Sequence, residues 1–374
     1  MLTFHSIWTG PAAAKGQTEM RLWDFEWLTW LAGLMQSKTA GPVVLVADKL
    51  GASLVKTMGL ASFYDEIVLG LDSIPKTVDP EIFWAAGKLY AIPLLKRLKH
   101  YRPDGPVCSL DWDCIPWTPP PMRSRISCLN LENLAWPWYK DCRSKYDSFV
   151  PEGVNWNLAP ANNGAIIFEE HGQMCRYART ATGFMERFSS AASTNNYFDL
   201  PRYVYGDAMT FAEQQLLSTA ARHMNEDVLP MVPVRSDGFI GENAFFTHLW
   251  TTKSLYRAFP EARIHYTNQL IRHIRHNFPA TIPMLKARDL HVVQHPLTRD
   301  ENEKLNLEGS RHFKKYNLAI VKSIKGPARL VDRNIGGSRP LVRGSVVLPG
   351  DRVVRDSTDT KIELEFNQAP EYVF

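Results

Sequence analysis

The sequence has no apolar run long enough to cross a membrane. A span needs about 18–20 residues, and the most apolar segment, Leu22 to Met35, is interrupted by Asp24, Glu26 and Thr29. The opening MLTFHSIWTG carries no basic stretch ahead of an apolar one, so neither a signal peptide nor a membrane anchor is expected there. Cysteine is scarce. The five, Cys108, Cys114, Cys128, Cys142 and Cys175, are odd in number and form no C-x-x-C pair. That fits reduced thiols in a cytoplasmic setting better than a disulfide framework or a structural zinc site. Charge imbalance is small too: a formal net charge of +4 makes no case for nucleic acid by itself. No G-x-G-x-x-G follows the first strand, and Gly87-Lys88 has neither the upstream glycine nor the following Ser/Thr of a P-loop. Dinucleotide and ATPase readings lose their main support. Internal repeats and low-complexity segments are likewise missing.

What is present is a globular composition, 45% hydrophobic and 22% charged, over 374 residues. Eleven Trp, 18 Phe and 13 Tyr supply rings for the core and for stacking on flat or sugar-like ligands. Strand and helix signals alternate through the first hundred residues. Leu2–Trp8 predicts a strand, Arg21–Gln36 a buried helix, Val43–Ala47 a strand covered on both faces, Leu50–Leu60 a helix and Glu66–Leu69 a strand. Asp79 with Pro80 predicts an N-cap opening a helix that runs to Leu98 and bends at Pro93. Val107–Leu110 is the next strand. This order predicts an α/β fold with a largely parallel sheet and helices on both faces.

Beyond Asn162 the pattern mixes: a strand at Ala165–Phe168, then helices at Gln173–Ser190, Thr210–Met224 and His248–Ala258. Proline and charge rise from Pro279 to Tyr316. Short runs separated by Gly, Pro and Asp turns come next, the mark of a small all-β module. The expected organisation is one domain over 1–280, a linker or wrapping segment over 281–318 and the β-module over 319–374.

Ligands of such sheets bind beyond the carboxyl ends of the strands, where this sequence puts Trp8-Thr9-Gly10, Asp48 and Asp111-Trp112-Asp113. Two carboxylates one residue apart, just after a buried strand, can reach one divalent cation if the chain turns there. Hard oxygen ligands suit Mg²⁺ or Mn²⁺, and such a cation neutralises charge on departing phosphate oxygens. The competing reading is a plain polar turn.

Together, Trp8-Thr9, Asp48, the helix carrying Lys88 and the S-L-D-W-D strand resemble a GT-A-fold, nucleotide-sugar-dependent glycosyltransferase of the D-x-D type. The resemblance covers roughly residues 1–280 in order of elements. It implies a Rossmann-like mixed sheet flanked by helices, a UDP-sugar donor, a glycan or other hydroxyl-bearing acceptor, and bound Mn²⁺ or Mg²⁺. By position, Asp111 and Asp113 match the metal- and ribose-contacting motif, with Trp112 between them beside the donor. Asp48 matches an acid that meets base or ribose, Trp8-Thr9 the strand end beside the base, and Lys88 a contact to nucleotide or phosphates. In Phe246-Thr247-His248-Leu249-Trp250-Thr251-Thr252-Lys253, His248 matches a late metal ligand and Lys253 a diphosphate contact. Asn162-Asn163-Gly164 resembles a segment lining the sugar pocket, and Glu213-Gln214 an acidic element near the acceptor.

Each has an ordinary counterpart: a solvated helix lysine, a half-buried histidine, an Asn-Gly turn. For Glu213 that counterpart is a capping box, Thr210-x-x-Glu213, which is the favoured reading. Asp207 is the other acid able to face the acceptor. The histidine pattern points to retaining families, although no general base decides between retention and inversion. Trp112, Trp117, Trp136 and Trp138 are expected to stack on sugar or base, with Pro116–Pro121 rimming the site. The rival reading is a noncatalytic glycan- or polyanion-binding protein of the same fold.

The tail resembles a FecR-type β-module, on Lys325–Leu330, Arg339–Gly344 and Leu348–Val354 with their spaced Gly and Gly-Asp turns. Arg311 to Arg343 holds nine Lys/Arg against Asp332 alone. A solvated basic surface explains that stretch better than a nucleic-acid or membrane contact.

Overall fold

The computed structural model describes residues 1–17, 22–99, 101–135, 139, 141–150, 153–194, 206–232, 246–249, 253–292, 319–331, 338–341, 346–347 and 352–366. Two units divide the chain: Met1–Arg21 with Gly33–Ile240, and Leu22–Ala32 with Gly241–Phe374.

In the first unit, seven strands form one mixed sheet. They are β1 (Leu2–Ile7), β2 (Val43–Ala47), β3 (Glu66–Leu69), β4 (Val107–Leu110), β5 (Ile126–Cys128), β6 (Ala165–Phe168) and β7 (Val228–Pro230). Their order is β3-β2-β1-β4-β6-β5-β7. The β1, β2, β3 and β4 pairings are parallel, β6 is antiparallel to both β4 and β5, and β7 is parallel to β5. The apolar runs explain this. All five residues of β2 are buried, as are all four of β4 and of β6, so each needs cover on both faces. That cover comes from helices. The expectation of an α/β sheet flanked by helices therefore matches the molecule, with small C-terminal sheets besides.

The helices are α1 (Asp24–Lys38), α2 (Lys49–Thr57), α3 (Ala86–Ala91), α4 (His171–Thr194), α5 (Gly206–Thr210) and α6 (Leu216–His223). A π-turn, Phe211–Gln215, joins α5 to α6. Phe83, Tyr146, Phe184, Phe188 and Phe211 pack edge-to-face and tilted into one aromatic cluster that fixes α4 against this turn.

Three local expectations need correction. Asp79 accepts from the Glu81 N–H (2.8 Å), but the residues after it form a turn; the α-helix begins at Ala86 and tightens to a 3₁₀ stretch, Ile92–Arg97. Pro93 marks that change because its ring cannot supply an N–H to the α-helical ladder. Thr210 is itself helical (φ −60°, ψ −41°), so it is no N-cap and the Thr210-x-x-Glu213 capping box does not form. His248 ends a short strand, Phe246–His248, and the helix starts only at Lys253 (Lys253–Ala258). Trp136, Trp138, residues 293–318 and about half of the basic stretch lie outside the described residues.

In the second unit, the start of α1 meets α7 (Pro260–Asn277) and its neighbours. Glu26, fully buried, pairs with Arg257 at 2.5 Å; Thr29 Oγ1 lies 3.0 Å from Tyr266 Oη; and Tyr256 stacks on Tyr266 at 4.6 Å. Six short strands form two three-stranded antiparallel sheets. One orders Val346–Val347, Ala319–Lys325 and Lys361–Phe366; the other orders Ser338–Pro340, Ala328–Val331 and Arg352–Arg355. Val321, Ala328 and Leu341 form their small core. Among the described residues, no helix is long and apolar enough to cross a membrane.

Candidate functional site

The centre of the first unit's sheet brings two candidate segments together. β4 pairs antiparallel with β6 in a register that sets Leu110 opposite Ala165. The residue after one strand therefore meets the residue before the other: the Asp111 N–H donates to the Gly164 carbonyl at 2.8 Å. The chain then turns, with the Cys114 N–H donating to the Asp111 carbonyl (2.9 Å). Asp113 is buried in this turn and Trp112 partly exposed.

Lys88 enters from α3. Its Nζ sits 2.6 Å from Asp111 Oδ1, 3.1 Å from both the carbonyl and Oδ1 of Asn163, and 3.1 Å from Glu213 Oε1. The close approach depends on the preceding residue. A Cβ on Gly87 would lie 2.5 Å from the Cβ of Trp8, so only glycine lets α3 lie this near the first strand. A sequence reading of Lys88 as a solvated helix lysine does not hold: its side chain is 7% exposed.

Glu213 arrives on the π-turn. A turn of this width leaves carbonyls without their helical partners, and here the partners are supplied from elsewhere. Tyr177 Oη donates to the Glu213 carbonyl (2.7 Å) and the Ala161 N–H to the Gln214 carbonyl (3.1 Å). Gln215 Nε2 and Ser218 Oγ hold the carbonyls of Leu158 and Ala159, at 2.9 and 2.6 Å. The helix is thereby stitched to the strap that leads into Asn162-Asn163-Gly164.

The charge arrangement is one buried cation between two acids. Burial alone would discharge the Lys88 ammonium, but Asp111 and Glu213 outweigh it and hold the pKa above the ordinary lysine value. Burial raises the Glu213 carboxyl, Lys88 opposes that, and Asp111 adds to it, leaving the pKa above the usual range. Three ammonium protons face four acceptors. Asp111 and the two Asn163 oxygens suffice to take all three, and Glu213 Oε1 has the charge beside it but no well-formed hydrogen bond.

The other expected residues divide. Asp48 caps α2, with Oδ1 accepting from the Gly51 N–H (2.6 Å), while Oδ2 accepts from the N–H and hydroxyl of Thr9 (2.6 and 2.7 Å). It thus fixes Thr9 at the end of β1, beside Trp8. Asp207 is engaged by Lys145 Nζ (2.5 Å) and Tyr146 Oη (2.6 Å) and, among the described residues, shares no hydrogen-bond or ion-pair partner with the Lys88 cluster. His248 and Lys253 belong to the second unit, each partly exposed.

A further buried acid, Glu132, carries no local sequence signal. Asn162 Nδ2 donates to its Oε1 at 2.6 Å and Tyr139 Oη to its Oε2. Burial raises its pKa, and those two donors pull the other way.

No protein family and no curated protein matches the chain in sequence. Solved structures similar to it include mouse xyloside xylosyltransferase 1 in its apo form, at 8% identity and a TM-score of 0.30 over 61% of this chain and 83% of that one. Another is the galactosyltransferase LgtC with donor and acceptor sugar analogues, at 12% identity and a TM-score of 0.29 over 63% and 74%. Scores at this level carry no functional argument. The side chains must.

Proposed function

We propose that the protein is a metal-dependent glycosyltransferase of GT-A type, taking a sugar from a uridine diphosphate donor to a hydroxyl-bearing acceptor with retention of configuration. The observation that carries this is the convergence of Lys88, Asp111, Asn163 and Glu213 where β4 ends and β6 begins. A cluster of amide, carboxylate and ammonium groups suits a polyhydroxylated ligand, whose hydroxyls donate and accept at once.

In this reading Glu213 accepts from a sugar hydroxyl, and Lys88 holds Asp111 and Asn163 in place for it. Trp8 and Thr9 flank the base. Asp48 offers base or ribose the lone pairs that Thr9 and Gly51 leave. Asp207, tied to Lys145, lies on the acceptor side, and Lys253 offsets diphosphate charge. Asp113 and His248, with Asp111 in support, bring hard oxygen and neutral imidazole donors, which fit Mn²⁺ or Mg²⁺. When bound, such a cation neutralises charge on the leaving diphosphate.

Donor hydrolysis with water as acceptor tests the reading. The expected result is Mn²⁺- or Mg²⁺-dependent release of nucleoside diphosphate from a UDP-sugar. Asp113→Asn should cut that release strongly, because an amide is a poorer ligand than a carboxylate for a hard cation. His248→Ala should lower turnover with circular dichroism unchanged. Failure to release nucleoside diphosphate from any common donor would favour the noncatalytic glycan-binding reading.

A further inference from the structure

Glu132 is buried, as are its partners Tyr139 and Asn162. Among the described residues no cation pairs with it; its partners are neutral. Holding a carboxylate in such a place is costly, and an amide or an apolar side chain would tie the strap down at lower cost. A carboxylate has one property those groups lack. It accepts at every lone pair and donates nowhere, so it dictates the orientation of any neighbour that can do both.

Two such neighbours are amides. Asn162 turns its Nδ2 to Glu132, which leaves Oδ1 to accept from the Gly164 N–H at 3.0 Å; Gly164 in turn receives the Asp111 N–H. The partly exposed Gln214 lies on the opposite side. Its amide oxygen turned toward Glu132 would face two carboxylate oxygens and could accept only the single Tyr139 proton, which Glu132 also claims. With the nitrogen there, Nε2 donates to Glu132 Oε2 (3.0 Å) and to Tyr139 Oη (2.6 Å), while Tyr139 donates its own proton to Glu132. All donors are then matched.

We propose that Glu132 is a positioning residue that sets the polarity of this wall. By claiming the nitrogens of Asn162 and Gln214, it leaves the Gln214 side-chain oxygen as the end available to a ligand. This rests on the reading that the Lys88 cluster binds a donor sugar, but the orientation itself is measurable without turnover.

The experiment uses the full chain with Glu132→Gln, Gln214→Ala and the double variant. The side-chain amide protons of Gln214, assigned in nitrogen-15 spectra by their loss in Gln214→Ala, should exchange with solvent about tenfold faster in Glu132→Gln than in wild type. With the UDP-sugar that wild type hydrolyses fastest, Glu132→Gln should lower kcat about 10- to 100-fold and leave KM nearly unchanged. Added to Gln214→Ala, it should change kcat by less than about twofold, because the effect runs through Gln214. Equal exchange in wild type and Glu132→Gln overturns the proposal. So does an undiminished loss of kcat in the Gln214→Ala background. Should Glu132→Gln fail to fold, Tyr139→Phe takes its place, removing one partner of Nε2 while keeping the charge; unchanged Gln214 exchange there overturns the proposal equally. If wild type hydrolyses no donor, the glycosyltransferase reading fails and amide exchange alone decides this one.

Discussion

Two charge clusters in the first unit use the same ingredients in opposite settings. Lys88 stands between Asp111 and Glu213 with its side chain 7% exposed. Arg125 stands among Glu169, Glu170 and Glu226, at 2.6, 2.5 and 2.7 Å, with its side chain 47% exposed. The exposed cluster has more pairs and equally short contacts, yet water competes for every one of them and salt screens them. The buried cluster has fewer ion pairs, but Glu213 is held in its charged form against burial chiefly by the lysine. Pair counting ranks the two in the wrong order. What matters is the cost of leaving the survivors alone.

Breaking the buried cluster should have the largest effect. Lys88→Met leaves two acids without their counter-ion and should destabilise by about 3–5 kcal/mol, read by urea unfolding. The loss should depend on pH. Glu213 in the fold binds its proton more tightly than the ordinary value of 4.5 implies, so its contribution to stability falls as pH rises from there toward its folded pKa. Removing Lys88 raises that folded pKa further, so the gap in Tm between variant and wild type should widen from pH 5 to pH 8. A gap independent of pH would mean that the carboxyl is not responding to the lysine.

Gly87→Ala tests how the lysine gets there. The added methyl meets the Cβ of Trp8 at 2.5 Å, and the strain should cost about 1–3 kcal/mol while the charges remain. Glu213→Gln should move stability by no more than about 1 kcal/mol, since it removes a buried charge that lacks a full hydrogen bond. It should nonetheless abolish most donor hydrolysis and flatten the pH dependence of Tm. Arg125→Ala should give the smallest effect of all, a slight shift in Tm that vanishes in about 0.5 M salt, where screening shortens the reach of surface charge. A shift that survives such salt would mean the exposed cluster is more than a solvated clamp.

The three strands at 43–47, 107–110 and 165–168 are legible in the sequence because each is a short, largely apolar run, and burial on both faces leaves no other place for it. Lys88, Asp111 and Asn163 are legible as candidates one by one, although their union is not. It comes from the β4–β6 register and from Gly87, neither of which marks the sequence locally. Thr210 and Glu213 mislead for a related reason. The S/T-x-x-E spacing is the same inside a helix as at its start, and only the outside partners, Tyr177 and Ala161, show that a π-turn occupies the place. The strands Ile126–Cys128 and Val228–Pro230 are too short to signal themselves. Glu132 is a lone acid in an irregular stretch, and its significance lies in Asn162 and Gln214, distant along the chain, and in Tyr139 seven residues on.

The widened turn at Phe211–Gln215 also bears on which changes of length the chain can absorb. A wide turn is in effect a helix with one residue to spare. Deleting Ala212 would remove that surplus and let the segment close into regular α geometry, with the turns on either side kept in phase. Leu216, Leu217, Ala220 and Ala221, all buried, would then keep their places. What would be lost is the bulge itself: the Glu213 carbonyl would return to the helical ladder, away from Tyr177 Oη, and its side chain would be carried off Lys88. Most insertions and deletions are absorbed by surface loops; here a one-residue gap should spare the helix and strike the site. The site is written in the helix's residue count as well as in its side chains.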